Sequence, residues 1–387
     1  GVGATSAWGG VGGGIYDSIV APAERGSAGG PGAGGAGGSG GGAIRLIVGN
    51  TLRADGRITA NGLNGSANNS GGGAGGSIHL TAAKLEGVGV ILADGGYGEW
   101  VEGGGGAGGR IALHLGSSQF NGSVFARGIG ARGGGAGTVY TRLGTETGGE
   151  LVLDNAANGG ALSPLEVPPE TRLVLNAGTF VYPPTPLSVV SLRLKPGATL
   201  THPNGQANLA VQVAQDFIIE SGAVVSVDGR GYPFDGEAGP GAGIQVTWGG
   251  SGGGHGGTGG VSASGASGGA VNGSALQPVA WGSQGGSGDG GPGGAGGGAI
   301  RFTVGGTLEI AGTLTANGVN GTANNSGGGA GGSIWIEAGR LIGAGVLTAN
   351  GGAGEWVDGG GGSGGRIALY LGTNDFTGTL STYGRGG

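Results

Sequence analysis

Short stretches in which apolar and polar residues alternate recur along the chain at nearly constant spacing. The apolar pairs Ile44/Leu46, Ile78/Leu80 and Ile111/Leu113 are followed by a weaker Val139, so that successive spacings are 34, 33 and 28 residues. Alternation with a period of two indicates strands that bury one face, and no segment shows the 3.6-residue period of a helix. The pattern predicts an all-β chain, a parallel β-solenoid (β-helix) whose modules stack on one another.

Each predicted module follows one plan. A strand of four to six residues leads through a short turn to a lone apolar residue, such as Leu52, and then to a second strand. The second strand ends in a small residue, Asn or Asp, and glycine, as in Ala60-Asn61-Gly62 and Ala316-Asn317-Gly318. Because Asn-Gly and Asp-Gly tolerate positive φ, we expect them to turn the chain out of the sheet at one corner of every module.

A longer repeat encloses these modules. Gly41 to Gly116 align without a gap to Gly297 to Gly372, and 52 of the 76 aligned residues are identical. The offset of 256 residues makes 1–131 correspond to 257–387. A window taken from a tandem array can end at any point of a repeat, so we expect the array to continue beyond Gly387.

The stretch between the two copies has a different composition. It is poor in glycine, holds most of the prolines, and contains strand-like runs at 172–176 and 209–213. Its end, Ala223 to Gly229, repeats the second-strand ending of a module. We therefore predict three segments, which are a partial glycine-rich repeat at 1–149, a glycine-poor, Pro-containing continuation of the solenoid at 150–228, and a second glycine-rich repeat at 229–387.

Glycine accounts for 112 of the 387 residues, and in two stretches it occupies every third position, from Gly26 to Gly41 and from Gly282 to Gly297. Collagen is excluded because the chain has only 14 prolines and no triplet along its whole length. Polyproline II geometry has three residues per turn, so eighteen such residues span on the order of 55 Å with one face free of side chains. We predict polyglycine II-like legs that pack beside the solenoid; the alternative is a flexible Gly/Ser linker.

Charge and composition exclude several classes of protein. The net charge is −6, and the 17 cations are scattered, without the basic patch of a nucleic-acid binder. No run approaches the ~18 apolar residues of a membrane span. The chain has no cysteine and hence no disulfide or thiolate metal site, and we predict no cofactor and no metal. The chain has no Cys or Met and only two lysines, Lys84 and Lys195, which is compatible with an exposed extracellular protein.

One motif joins paired acids to an aromatic residue. Glu99-Trp100-Val101-Glu102 recurs as Glu355-Trp356-Val357-Asp358. In a packing interpretation the indole covers a glycine-rich leg while the acids face water and pair with Arg110 and Arg366. In a binding interpretation the motif is a glycan-contact platform, and a pair of glycosidase carboxylates is a third alternative.

Other candidate sites are weaker. Gly285-Gly-Ser-Gly-Asp289 approaches a calcium-binding nonapeptide, but its Asp comes one residue early. The histidines lie far apart, and the second copy has Trp335 and Tyr370 in place of His79 and His114, which argues against metal ligation. Possible glycosylation sites of the Asn-x-Ser/Thr type occur at Asn64, Asn68, Asn121, Asn272, Asn320 and Asn324.

The motifs GGGAIR(L/F)xVxxTL, TANG, NNSGGGAGGSI and GGGGxGGRIAL resemble the Gly-rich tandem repeats of very large bacterial surface or secreted adhesin-like β-solenoid proteins. The resemblance covers 1–145 and 225–387. The glycine triplets are similar to the polyglycine II bundles of springtail antifreeze proteins and some phage tail adhesins. The resemblance implies structural motifs and provides no catalytic residue to carry over.

These observations predict an extracellular, cell-surface structural protein that forms a stiff fibre, sheath or stalk by self-association, and not an enzyme. The alternative is an adhesin or binding module for glycan or ice. A β-helical polysaccharide-degrading enzyme is a third possibility, although no cluster of acids and bases converges in the sequence.

Overall fold

The computed structural model describes residues 1–6, 11–66, 68–100, 102–130, 132–205, 208–233, 236–246 and 248–386. These residues form strands, turns and extended segments without any helix, and most strand pairs are parallel, which confirms the predicted all-β class. It follows that no helix in these ranges has the length and apolar character to cross a membrane. Val101 of the acidic motif and the repeat limits Ala131 and Gly387 lie outside the described residues.

The strands are numbered in chain order. They are β1 (Ala43–Arg53), β2 (Arg57–Thr59), β3 (Ser77–Gly87), β4 (Val90–Leu92), β5 (Arg110–Phe120), β6 (Ser123–Phe125), β7 (Thr138–Leu143), β8 (Glu150–Leu153), β9 (Ser163–Pro164), β10 (Arg172–Leu175), β11 (Phe180–Tyr182), β12 (Leu187–Val189), β13 (Ser191–Leu194), β14 (Thr199–Leu200), β15 (Leu209–Val213), β16 (Phe217–Ile219), β17 (Val224–Ser226), β18 (Gln245–Val246), β19 (Gly249–Gly250), β20 (Ala299–Ile310), β21 (Thr313–Thr315), β22 (Ser333–Gly343), β23 (Val346–Thr348), β24 (Arg366–Phe376) and β25 (Thr379–Ser381).

The chain divides into two compact units. Unit 1 comprises Gly1–Pro184 and Val189–Thr199, and unit 2 comprises Thr185–Ser188 and Leu200–Gly387. The predicted glycine-poor segment 150–228 is thus shared between them. Each unit contains one of the two glycine-rich copies.

In unit 1 the long strands β1, β3, β5 and β7 pair in parallel, in that order. The register joins the apolar positions that define the modules, since Ile44 faces Ile78, Ile78 faces Ile111, and Ile111 faces Val139. The short strands β2, β4 and β6 form a second parallel sheet. The predicted spacing of 34, 33 and 28 residues is therefore the actual step from one strand to its neighbour. Beyond β7 the sheet turns antiparallel once, at β8, and continues in parallel through β10 and β13.

A thin apolar core lies inside these strands. Ile78, Leu80 and Ile111 from the long strands are buried together with Ile91 and Ala126, which belong to the short-strand side of the modules. Because side chains alternate between the two faces of a strand, Arg45, His79 and Thr81 point away from this core. Removal of these apolar side chains from water stabilises the paired strands.

The predicted short turn inside each module is wrong. Apart from the six-residue β7, each long strand continues for eleven or twelve residues and passes through the lone apolar position, so that Leu52 lies within β1 and pairs with Leu85 of β3. The register shifts between Val48 and Thr51. An extra residue in a strand bends it without ending it, and a single-sequence pattern does not distinguish such an irregularity from a turn.

Unit 2 repeats this arrangement. The long strand β20 pairs in parallel with β15 and β16 through successive parts of its length and with β22, which pairs with β24. The short strands β17, β21, β23 and β25 form a parallel sheet in which Val225, Leu314, Leu347 and Leu380 are in register. The predicted second-strand ending at 223–229 thus pairs as a module strand with its successor.

The glycine-rich excursions, which we name glycine legs, are joined by backbone hydrogen bonds at three-residue intervals. In unit 1 the segment from Gly26 to Gly41 folds back on itself: Gly26 N–H donates to Gly41 O at 2.9 Å, Gly29 to Gly38 at 2.9 Å and Gly32 to Gly35 at 3.1 Å. The expected single span of eighteen residues is therefore wrong. The turn follows from Gly34, whose φ of +97° strains any residue with a Cβ atom.

Backbone hydrogen bonds also join each hairpin of legs to the next leg along the chain. In unit 1, Gly38 and Gly41 donate to Gly71 and Ala74, and the latter two donate to Gly30 and Ser27. All seven bonds recur in unit 2, where the donor–acceptor pairs are 282–297, 285–294, 288–291, 294–327, 297–330, 327–286 and 330–283. These backbone groups therefore have polypeptide partners, as buried backbone requires.

The expected positive φ of the corner glycines is confirmed at Gly229, whose φ is +63°, and is wrong at Gly62 and Gly318. Instead, the preceding side chain accepts a hydrogen bond from the next module: Asn61 Oδ1 from Asp94 N–H at 2.9 Å, and Asn317 Oδ1 from Asn350 N–H at 2.7 Å. Asn and Asp occur here because a short side chain with an oxygen acceptor reaches the N–H of the neighbouring strand.

Candidate functional site

The acidic-aromatic motifs lie where two glycine legs meet at their tips. Glu99 N–H donates to Ser70 O at 2.8 Å, and Glu355 N–H donates to Ser326 O at 2.9 Å, so each motif is attached to the tip of the preceding leg pair. The next residue, Trp100 in unit 1 and Trp356 in unit 2, has a left-handed backbone with φ of +57° and +52°. This conformation costs a residue with a side chain on the order of 1–3 kcal/mol.

The indoles do not cover the legs. Trp100 is 70% exposed and Trp356 is 64% exposed, and the nearby Tyr97 and Val357 are exposed as well. The packing interpretation of the indole is therefore wrong. Each tip instead presents a tryptophan to solvent beside carboxylates, held by a turn that glycine would adopt with less strain.

The acids of the motif belong to the tips. In unit 2 the Glu355 carboxylate accepts a hydrogen bond from Asn325 N–H at 3.2 Å, whereas in unit 1 Glu99 Oε2 is buried without a hydrogen-bond partner among the described residues. The expected arginine partners have backbone partners instead. Arg110 Nε donates to the carbonyl of Tyr16 at 2.8 Å, and Arg366 Nε donates to that of Asn272 at 3.1 Å.

Five of the six Asn-x-Ser/Thr asparagines are exposed, namely Asn64, Asn68, Asn121, Asn320 and Asn324. Asn64 Oδ1 accepts from Tyr97 N–H, and Asn320 Oδ1 accepts from Ala353 N–H, both at 2.9 Å. Asn272 differs because its amide nitrogen donates to Gly254 O at 2.9 Å. A sugar on that nitrogen would break this bond, so the geometry disfavours Asn272 as an acceptor.

A buried cluster in unit 2 was not found from the sequence. His255 Nε2 lies 2.9 Å from Ser333 Oγ, and its Nδ1 lies 2.9 Å from Asn272 Oδ1. The contacts follow the order of a Ser-His-Asp catalytic triad, with Asn272 in the place of the aspartate. His255 and Ser333 are fully buried, however, and Ser333 Oγ donates to Ala280 O at 2.6 Å. The cluster therefore joins a glycine leg to the start of β22 and offers no exposed nucleophile.

Burial lowers the pKa of His255, against the opposing effect of the Asn272 hydrogen bond, and the positive charge of Arg366 lowers it further. The imidazole is thus held neutral.

A different contact occupies the equivalent place in unit 1. The residue aligned with Ser333 is Ser77, whose hydroxyl donates to Asp17 Oδ2 at 2.9 Å. Burial raises the pKa of Asp17, but hydrogen bonds from Glu24, Ser18, Ser77 and Ala23 outweigh that effect and hold it below the usual value.

The histidines at 79 and 114 belong to a stack of rings on the outer face of the sheet. The ring centroids of His79 and His114 are 5.2 Å apart, and Trp335 and Tyr370 occupy the aligned positions with centroids 6.5 Å apart. Arg301 lies over the Trp335 ring at 4.2 Å. Within the described ranges no three His, Asp or Glu residues are grouped to hold a metal. This face therefore packs aromatic rings.

A groove of about 210 Å³ opens in unit 1. It is smaller than the roughly 300–1,000 Å³ of usual small-molecule sites. Its walls are mainly the backbone of glycine legs, and neither Glu99 nor Trp100 lines it. The near-calcium motif lies elsewhere, with Asp289 in the turn between the legs 282–288 and 291–297.

Comparison of the chain with protein-family models, with curated proteins and with solved structures finds no match.

Proposed function

We propose that this chain is an extracellular structural repeat, a stiff β-solenoid flanked by polyglycine II-like legs, that forms part of a fibre, sheath or stalk. The observation that carries the proposal is the set of seven leg hydrogen bonds that recurs in both units. A flexible Gly/Ser tether has no need of such bonds, because its backbone is solvated. A segment whose legs are fixed by backbone bonds at three-residue intervals resists bending.

Steric evidence supports stiffness as well. A Cβ atom at Gly29, Gly38 or Gly41 would lie closer than 3.0 Å to a backbone atom of an adjoining leg. Such contacts mean that the legs are in van der Waals contact along their backbones, as in a close-packed interior. The bundle therefore acts as a second solid layer beside the thin apolar core.

The strand edges support growth by tandem repetition. Among the described strands, β1 pairs only with β3, although its counterpart β20 is covered on the corresponding edge by β15 and β16. Likewise β24 pairs only with β22, although its counterpart β5 pairs with β7. Open parallel edges bind further strands, and a neighbouring repeat supplies strands in the correct register.

The test is the form and durability of the purified chain. We expect electron microscopy of the chain, and of a chain with several 256-residue periods, to show rods whose length grows with the number of periods. Native digestion with trypsin should leave both units intact for hours. Flexible, rapidly digested monomers of irregular outline would overturn the proposal.

The exposed tips support a second candidate, a binding module for glycan or ice. Trp100 and Trp356 are solvent-exposed aromatics beside carboxylates, held in strained backbone, and such strain concentrates at functional sites. The double variant Trp100→Ala/Trp356→Ala should then lose binding on a glycan array or lose inhibition of ice recrystallisation. Leu276→Ala, which changes a residue that is 72% exposed, is the matched control. Equal binding by both variants would reject this candidate.

A further inference from the structure

The groove of unit 1 is bounded by three sets of glycine legs. Its walls include Gly30 from the first hairpin, Asn69 and Gly72 from the next leg, and Gly104 and Ala107 from the third. The backbone N–H groups of Gly30, Gly104 and Ala107 have no hydrogen-bond partner among the described residues, and neither does that of Gly13, which also lines the groove. Backbone donors without a polypeptide partner thus line an open channel.

In unit 2 the corresponding channel is filled. A glycine-rich hairpin, which we name hairpin 241–256 and whose described residues are 241–246 and 248–256, lies there with β18 and β19 as its antiparallel strands. Its inner leg is bonded on all sides. Its N–H groups donate three hydrogen bonds to neighbouring legs, from Gly250 to Asn325 O, from Gly252 to Gly260 O and from Gly253 to Gly328 O. Its carbonyl oxygens accept four, from the N–H groups of Gly360 at Gly250, of Gly286 at Ser251, of Gly269 at Gly252 and of Ser363 at Gly253. All seven distances are 2.8–2.9 Å.

The repeat offset of 256 residues maps every one of these partners onto the groove of unit 1. The acceptors Asn325, Gly328 and Gly260 correspond to Asn69, Gly72 and Ala4, and the donors Gly360, Ser363, Gly286 and Gly269 correspond to Gly104, Ala107, Gly30 and Gly13. All seven line the groove, and the four unbonded N–H groups are the four donors that hold the hairpin in unit 2. The groove therefore displays the complete set of partners for one more leg.

Burial differs in the same way. Gly286 is buried in unit 2, whereas the equivalent Gly30 is exposed in unit 1. Ser283 and Gln284 are likewise buried, and the equivalent Ser27 and Ala28 are exposed. The difference arises from the hairpin, because Gly243 N–H donates to Gln284 O at 2.9 Å and Gly241 N–H donates to Ser283 Oγ at 3.0 Å.

We propose that the groove of unit 1 is a binding site for a glycine-rich hairpin of the 241–256 type, joined in line ahead of Gly1 as this hairpin is joined ahead of Gly257. The inference rests on the proposed function, since a tandem array places one such hairpin before each repeat. Selectivity is steric. In unit 2 a Cβ at Gly250, Gly252 or Gly253 would lie closer than 3.0 Å to a backbone atom. Only a segment with glycine at these positions enters the channel.

The test is a chain in which the sequence of 241–256 is added directly before Gly1. Amide hydrogen exchange, read by mass spectrometry on fragments that hold Gly30 and Gly104, should slow about tenfold or more, because several exposed donors gain partners together. The same addition carrying Gly253→Val should give no protection. An addition carrying Trp248→Ala, a change at the exposed hairpin turn, is the matched control and should protect fully.

Substitutions in the groove provide an independent test. A Cβ at Gly30 meets nothing within 4 Å, whereas at the equivalent Gly286 it would lie closer than 3.0 Å to Ile244 of the hairpin. Gly30→Val should therefore leave the stability of the unextended chain unchanged and abolish protection in the extended chain. Gly42→Val, also at an open position but outside the groove, should preserve protection.

Three outcomes overturn the inference. They are unchanged exchange in the extended chain, protection that survives Gly253→Val, and protection of the unextended chain that grows with its concentration, which would identify a second copy as the occupant. Rod formation without protection from exchange would reject hairpin binding in the groove and leave the proposed structural function standing. Protection from exchange without rod formation would support hairpin binding in the groove and reject the proposed structural function.

Discussion

At the residue scale, the glycines of the bundles fall into two groups that a Cβ atom distinguishes. At Gly38 a Cβ would lie closer than 3.0 Å to carbonyl oxygens of Leu63 and Asn64, whereas at Gly42 it would meet nothing within 4 Å. Neither glycine has positive φ. What Gly38 provides is the absence of a side chain where two backbones touch, and conformational freedom is not involved.

Gly38→Ala should lower the free energy of unfolding by about 1–3 kcal/mol, the usual cost of forcing extra atoms into a packed interior. Gly42→Ala should be neutral or stabilising by up to about 1 kcal/mol, because alanine restricts only the unfolded chain there. Urea denaturation of the two variants measures the difference. Equal effects would mean that the legs are not in close contact.

The corner asparagines lead to a second prediction. Asn350 Oδ1 accepts from Tyr383 N–H at 2.7 Å, and its aligned residue in unit 1 is Asp94, which accepts from Arg127 N–H. Asn350→Ala leaves an amide without its partner and should destabilise unit 2 by roughly 1–3 kcal/mol. Asn350→Asp keeps an acceptor and should retain most of the stability. Denaturation and amide exchange at Tyr383 check both variants, and an equal loss in each would contradict the role.

The buried imidazole of His255 predicts a dependence on pH. Its pKa is lowered below the ordinary 6.5, so between 6.5 and the folded-state value the unfolded chain binds the extra proton. The stability of unit 2 should be constant above pH 6.5 with respect to this group and fall as the pH decreases below it. His255→Gln should flatten the decline in a series of urea titrations. A slope that is unchanged in the variant would assign the effect to other groups, such as His202, whose pKa burial also lowers.

At the element scale, the leg hairpins and the strands solve different problems. Strands bury alternating side chains, so their register follows from apolar residues such as Ile78 and Ile111. Legs have almost no side chains, and their register follows from backbone contact alone. Tryptophan recurs at the tips of the leg pairs, and there Trp100 and Trp356 adopt a strained φ while exposed.

This contrast predicts opposite results for two tryptophans of unit 2. Trp356→Gly should leave the free energy of unfolding unchanged or raise it by up to about 1 kcal/mol, because it removes an exposed indole and relieves left-handed strain. Trp335→Gly should cost about 3–5 kcal/mol or more, because the Trp335 side chain is buried beneath Arg301. Thermal and urea unfolding compare the two. A large loss for Trp356→Gly would show that the tip indole packs after all.

At the scale of the whole molecule, unit 1 leaves a strand edge and a set of backbone donors open whose counterparts in unit 2 are covered. The open edge of β1 and the open donors of the groove both lie on positions that unit 2 covers with earlier parts of the chain. In quasi-one-dimensional repeat proteins, such interfaces contribute a large part of the stability. If the repeats form the proposed array, contacts between neighbouring repeats contribute to the stability of each one.

Chains with one, two and three 256-residue periods should therefore unfold at successively higher denaturant concentrations, with the largest increase from one period to two. The reason is that every added period covers one further set of edges. Circular dichroism in urea measures the midpoints. Identical midpoints for all lengths would mean that neighbouring repeats do not interact.

The order of residues by itself determined the all-β class, the parallel stacking and the step between strands, because alternation and spacing are local properties of the chain. It also located the glycine triplets. The length of the strands did not follow, since β1 passes through Leu52 where the pattern indicated a turn.

Tertiary structure decided what depends on the approach of distant backbones. The hairpin at Gly34, the acceptor role of Asn61 and the buried contact of His255 with Ser333 all join segments that carry no mutual signal in sequence. The groove is the clearest case, because most of its lining residues, Asn69, Gly72 and Gly104 among them, are identical to the aligned residues around the filled channel of unit 2. The hairpin fills the channel of unit 2 through backbone hydrogen bonds, and every residue except proline offers the same backbone donor and acceptor, so residue identity does not reveal these contacts.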